Sequence, residues 1–357
     1  MTFERLFMLV KFATSAFFSG EVKKANTMLN DALDLFTKLG NEKAIGIANN
    51  NLGNTMLTMY RTMKKTGAPT LAGLSLETVI QNGCDYFKRS IDIGEEAIER
   101  INQEEGFTVN YLIFMQQLSN RYFNRAVFLL TVKDDHPDPH EAEYQGKMDL
   151  STCKDMDREV VDNGDTEGFK GEKDVHFELL LSRIKGLLLL LKMGYEDEWG
   201  LEEIFAEAHK ELMTALDQPM HSLFRDMEPS GQMQRLDYAL IDYYRHVAEE
   251  SHDEKRSRNA KTMAARVAIR MLIEDEYLIA DVAKLALKTI IDFIDAHRER
   301  REMFGVDPSD LKSEIFRYRH QISEAMSLQF SRNAKNDVIA RETFLLSNLG
   351  DVSMEGF

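Results

Sequence analysis

The chain has 357 residues, 43% of them hydrophobic, with only 6 prolines and 20 glycines. That length can bury a substantial core, which excludes a disordered tail, and the scarcity of turn residues argues for helices with little or no sheet. A net charge of -16 argues against a nucleic-acid surface, which needs a basic face to displace counterions.

Cys84 and Cys153 lie far apart in unlike contexts, and no signal peptide opens the sequence. Free thiols in a reducing compartment follow, so a cytoplasmic location is expected. The most apolar run, "GLLLLLKM" at 186–193, falls well short of the ~20 residues that cross a bilayer, so no membrane insertion is expected.

Residues 3–18 are apolar on nearly every helical face, and "SGE" at 19–21 separates them from a second helix, "VKKANTMLNDALDLFTKLG". There Ala25, Leu29 and Ala32 fall at i, i+4 and i+7, a stripe of small and large apolar residues suited to nesting against a neighbour. Gly40 then caps the helix before Glu42 opens the next one. That next helix contains "NNNLGN" at 49–54, six residues that forfeit about 3 kcal/mol of intrinsic helicity. Tertiary structure must compensate: Gly53 is read as a point of close helix approach, with the asparagines lining a binding face.

The stretch "KLGNEKAIGIANNNLGN" resembles a tetratricopeptide repeat of the longer type, about 40 residues, found in kinesin light chains and in the adaptors named for their Leu-Gly-Asn repeats. Leu52 and Gly53 match the adjacent signature positions of that family's first helix. Asn49 stands where the family has a large aromatic residue. In the second helix the small-large-small pattern fits Ala25, Leu29 and Ala32 well, and Ser90, Gly94 and Ala97 loosely. "NRAVFLL", at the end of 118–130, resembles a variant of the same motif, with Asn124 equivalent to Asn51 and Ala126 to Gly53. Leu201, Phe205 and Ala208 repeat the spacing, as do Ala283, Leu287 and Ile290.

The resemblance implies an all-α fold of antiparallel helical hairpins stacked as a right-handed α-solenoid. The organisation expected is repeats over 1–132, an acidic insertion over 133–175, a continued repeat over 176–216 and a hinge over 217–233. Helical pairs then fill 234–330, and 331–357 is a tail or the start of a further domain. The insertion is read as solvated and partly disordered because residues 133–174 hold 14 acidic and 6 basic residues, net -8, half of the chain's excess.

In that family the first helices line a concave groove, and the position of Asn51 and Asn124 commonly bonds a peptide's backbone or terminal carboxylate. An amide suits the task because it both donates and accepts. Lys11 holds the corresponding place in the first hairpin, Asn50 and Asn54 share a helix face, and Asn120 and Arg121 lie near Asn124. These seven residues are the expected groove for an extended or acidic peptide, or for another domain of the same polypeptide. The alternative for the asparagines is satisfaction of backbone groups between helices.

No metal, cofactor or catalytic residue is expected. His136 and His140 are four apart, but Pro137 and Pro139 keep them off one helix face. "DMDREVVDNGDTEG" lacks the glycine and glutamate of a calcium loop, and no phosphate-loop, zinc-protease or nucleophile-elbow motif occurs. An enzyme built on His136, Asp135 and Asp138 is the least supported reading. The basic run at 254–270 is read as a solvated helix face, and Tyr238, Tyr243 and Tyr244 as core. The function expected is a non-catalytic scaffold. A second reading is a regulatory segment of a larger signalling protein whose acidic insertion blocks the groove.

Overall fold

The computed structural model describes residues 22–106, 108–163, 173–216, 229–274, 285–286, 288–290 and 292–293. Among these, α1 (Val22–Leu39), α2 (Glu42–Thr66), α3 (Leu76–Glu104), α4 (Val109–Val132) and α5 (Pro139–Asp162) follow one another, then α6 (Lys173–Lys192), α7 (Leu201–Leu216), α8 (Pro229–Glu250) and α9 (Glu254–Glu274). The chain divides into two units, residues 1–173 with 189–198, and residues 174–188 with 199–357.

Short polar caps set the helix boundaries of the first unit. Gly40 takes the left-handed conformation, φ +63°, at the α1 end. The side chains of Asn41, Ser75 and Thr108 accept from the backbone N–H groups of Ala44, Thr78 and Tyr111, opening α2, α3 and α4. Between α2 and α3, Thr70–Leu71 pairs antiparallel with Leu74–Ser75 in a minimal hairpin. Its two central residues, Ala72 and Gly73, both have positive φ, as a two-residue hairpin turn of the tighter type requires. The structure thus adds one small sheet to an otherwise helical set.

Each helix from α1 to α5 packs against the next. Ala25, Leu29 and Ala32 are fully buried, as their spacing predicts, with Leu29 against Leu52. Gly53 does make a close approach possible: a Cβ there would lie 2.6 Å from the Phe87 ring of α3. The device repeats at Gly83, where a Cβ would overlap the Phe128 ring of α4. Phe87 and Phe128 meet with ring centroids 5.4 Å apart and planes tilted by 51°, so two glycines on successive helices seat two rings in contact. The burial gained offsets the helicity that these glycines give up.

The acidic segment departs from the sequence reading. Residues 139–162 form α5, and this helix packs along α4 in place of a solvated, partly disordered insertion. Ala142, Gly146, Asp149, Cys153 and Val160 form its buried stripe, at steps of four, three, four and seven. The charge excess sits on the other faces and obscures the pattern. Asp149 is buried because Arg125 of α4 binds it through two bonds, Nε to Oδ2 at 2.6 Å and Nη2 to Oδ1 at 2.8 Å, and Gln145 adds a third. The helix is a structural partner of α4. Residues 164–172 of the expected insertion lie outside the described residues.

In the second unit α7 packs on α8 and α8 on α9. Leu201, Phe205 and Ala208 are buried, and Phe205 lies against Tyr243, with centroids 5.7 Å apart. The tyrosines do not share one environment: Tyr243 is core and donates to Glu202, whereas Tyr238 is 40% exposed. Ile290 is buried. Ala283, Leu287, most of the expected hinge over 217–233, and the segment 331–357 lie outside the described residues.

Candidate functional site

The residues picked from sequence cluster on α2 and α4, though not all in the role expected. Lys11 lies outside the described residues. Asn50 and Asn124 are each 9% exposed and bond one another, the Asn124 amide donating to Asn50 Oδ1 at 3.1 Å. They therefore bridge two helices, which corrects their reading as freely presented groove amides. Asn51, Asn54 and Asn120 are half-buried. Among the described residues, the Asn51 and Asn54 side chains make no hydrogen bond. Asn49 is buried and donates to the Ile45 carbonyl, while its Oδ1 is unpaired among the described residues.

Alpha-helices α2 and α4 run parallel here, since Gly46 lies by Arg121 and Asn50 by Asn124. Asn54 stands one turn beyond the bridged pair on α2, and Asn120 one turn before it on α4. The outcome is an amide-rich face laid over two helices. The bridge uses one Asn124 donor and the Asn50 oxygen, and leaves both Asn50 donors, the second Asn124 donor and the Asn124 oxygen.

Arg121 is more deeply placed than a groove residue should be, at 5% exposure. Its guanidinium sits between two glycines. A Cβ on Gly46 of α2 would meet Nη1 and Nη2 at 2.9 Å, and one on Gly94 of α3 would meet Nη1 at 2.9 Å. Nη1 donates to the Ser90 carbonyl at 2.6 Å, and Ser90 Oγ in turn donates to the Gly46 carbonyl at 2.8 Å. That is the only hydrogen bond of the Arg121 side chain among the described residues, and no carboxylate among them pairs with it. Burial alone pushes the guanidinium down to about 10, so it stays charged at neutral pH.

A cavity of about 70 Å³ adjoins this guanidinium, lined by Lys43, Gly94, Arg100, Phe114 and Gln117 among others. Gln117 Oε1 is buried with no hydrogen-bond partner among the described residues. At the rim Arg100 pairs with Glu42 at 3.1 Å, both half exposed to solvent, and Lys43 lies over the Phe114 ring at 4.9 Å. Three cations against one carboxylate make this a basic spot in an acidic chain. Sequence reasoning missed Gly46 and Gln117 and met Gly94 only as a loosely fitting repeat position. The available signal was an arginine within an apolar helix opposite helix-interior glycines.

The other candidates are less developed. His136 Nε2 lies 3.7 Å from Cys84 Sγ and its Nδ1 is 2.8 Å from the Asp138 carbonyl. Burial first, and Asp85 second, push the Cys84 thiol up to about 11, the wrong direction for a nucleophile. Both cysteines are free thiols. Asp135 accepts from Tyr60 at 2.6 Å and Lys64 at 2.8 Å. No group of metal-ligating side chains occurs among the described residues, and no helix among them is long and apolar enough to cross a membrane.

Helices α1 to α5 form successive antiparallel pairs, and α2 also touches α4. This is an all-α stack of helix pairs. No family model matches the chain, and no curated protein matches it either. Among solved structures it is similar to one described as a "Circular tandem repeat protein with novel repeat topology and enhanced subunit contact surfaces", at 16% identity, with a TM-score of 0.37, over 96% of this chain and 81% of that one.

Proposed function

We propose that the first unit is a non-catalytic interaction module of the tetratricopeptide type, which captures an extended peptide across the face of α2 and α4. The observation that carries this reading is the pair Asn51 and Asn54, half-buried and, among the described residues, without side-chain bonds, beside the Asn50–Asn124 bridge. An extended peptide presents alternating N–H and C=O groups, which match a row of amides. Such a row in a helix interior costs stability, and ligand binding is a use that repays it. The partner is a protein segment, free or in another domain of the same polypeptide.

Selection of a random displayed peptide library on the immobilised protein tests this. Wild type should enrich a shared motif, and the Asn51→Ala/Asn54→Ala variant, equally helical by circular dichroism, should lose it by at least tenfold. Equal enrichment by both, or no motif with either, would remove the amide face from consideration.

A further inference from the structure

A buried cation without a counter-charge is costly, several kcal/mol after relaxation, and folded chains rarely keep one without a use. Arg121 is such a cation. The fold also makes room for it, since Gly46 and Gly94 are the residues whose missing side chains leave the space. Arg125, one turn on, has a carboxylate, whereas the Arg121 side opens on a cavity lined by Gln117, Arg100 and Lys43. The guanidinium N–H donors there await a partner, and a cation's donors call for an anion. Phe114, Ile93 and Ala97 add apolar walls. A ligand that meets both needs carries a carboxylate on a short aliphatic stem.

We infer that the cavity beside Arg121 receives the side-chain carboxylate of a glutamate residue in the bound peptide. That residue's carboxylate accepts from Arg121, and its methylene groups lie along Phe114 and Ala97. About 70 Å³ accommodates such a side chain. The inference rests on peptide capture for the source of the glutamate, but the site is testable without any peptide partner.

The probe is N-acetyl-glutamyl-N-methylamide, compared with its glutaminyl isostere and with sodium chloride at matched ionic strength, read by thermal unfolding of the full chain. Specific occupancy raises the unfolding midpoint through mass action. At 100 mM, wild type should gain about 2–4 °C over the glutaminyl probe. Arg121→Gln should abolish the gain. Gly94→Ala keeps the charge while its Cβ intrudes on Arg121 and Leu118, and should at least halve the gain; it decides the matter if Arg121→Gln fails to fold. Equal shifts with the two probes on wild type, or a full gain retained by Gly94→Ala, would overturn the inference. Neither result bears on the Asn51 and Asn54 test, so failure of the cavity and failure of the amide face are distinguishable.

Discussion

The two flanks of α4 handle buried arginines in opposite ways. On the α5 flank, burial pulls Arg125 down, but the hydrogen bonds and charge of Asp149, helped by Tyr122 and Glu95, more than reverse this and hold its guanidinium above the ordinary value. On the flank toward α2 and α3, Arg121 feels burial alone and is lowered. One turn of helix separates a cation that the fold completes from one that it leaves incomplete. Burial of a charge therefore says little by itself, and the partner decides whether the residue belongs to stability or to binding.

The largest effect should come from dismantling the completed flank. Asp149→Ala strands Arg125 and Gln145 and should cost about 3 kcal/mol in denaturant unfolding. A loss below about 1 kcal/mol would mean that the pair behaves as a surface bridge and the contrast would collapse.

Next come the glycines, which sharpen the comparison by what fills their space. Gly83 faces the tightly packed Phe128 ring, so Gly83→Ala should cost about 2 kcal/mol despite the better helix former. Gly94 faces the Leu118 side chain and the flexible end of Arg121, so Gly94→Ala should change stability by less than about 1 kcal/mol. Chemical denaturation of the two variants side by side checks the order.

Much of this was legible in the sequence, and the misses have physical causes. Ala25, Leu29, Ala32 and Gly53 announced their packing because small and large residues at helical spacing have few other uses. The helix α5 stayed hidden because its stripe includes Gly146 and Asp149, so a count of charge outweighed the period. Asn50 and Asn124 were both assigned to the groove, with Asn51 taken as the equivalent of Asn124, but sequence spacing within each helix cannot tell that the Asn50 and Asn124 amides reach one another. Arg121 was identified as a site residue for its charge, and its depth depends on glycines 75 and 27 positions earlier, Gly46 and Gly94. No local pattern carries that.

A smaller, pH-dependent effect comes from Asp135, a partly exposed version of the completed arrangement. Hydrogen bonds from Lys64 and Tyr60 hold its carboxyl below the usual range. A lowered folded value means that the stabilisation is present above the unfolded value, about 3.9, and is lost as pH falls through the folded one. Asp135→Asn should therefore cost under about 1 kcal/mol at neutral pH and flatten the stability profile below about pH 4. An unchanged acid slope would show that other carboxylates control it.

The smallest stability change belongs to the amide face. Asn51→Ala/Asn54→Ala should leave stability unchanged or raise it by up to about 1 kcal/mol, because alanine is the better helix former and no side-chain bond is lost. A loss above that, by thermal or denaturant unfolding, would make these amides structural and align them with Asn50 and Asn124.

The measurement that bears most directly on the contrast is denaturant unfolding of Arg121→Met beside Arg125→Met. The account predicts a loss of about 3–5 kcal/mol for Arg125→Met, which leaves Asp149 buried without its cation, and no loss, or a gain of up to about 4 kcal/mol, for Arg121→Met, which removes a buried cation that no carboxylate offsets. Equal large losses would contradict it, because Arg121 would then be part of what holds the helices together and not a group kept for a ligand.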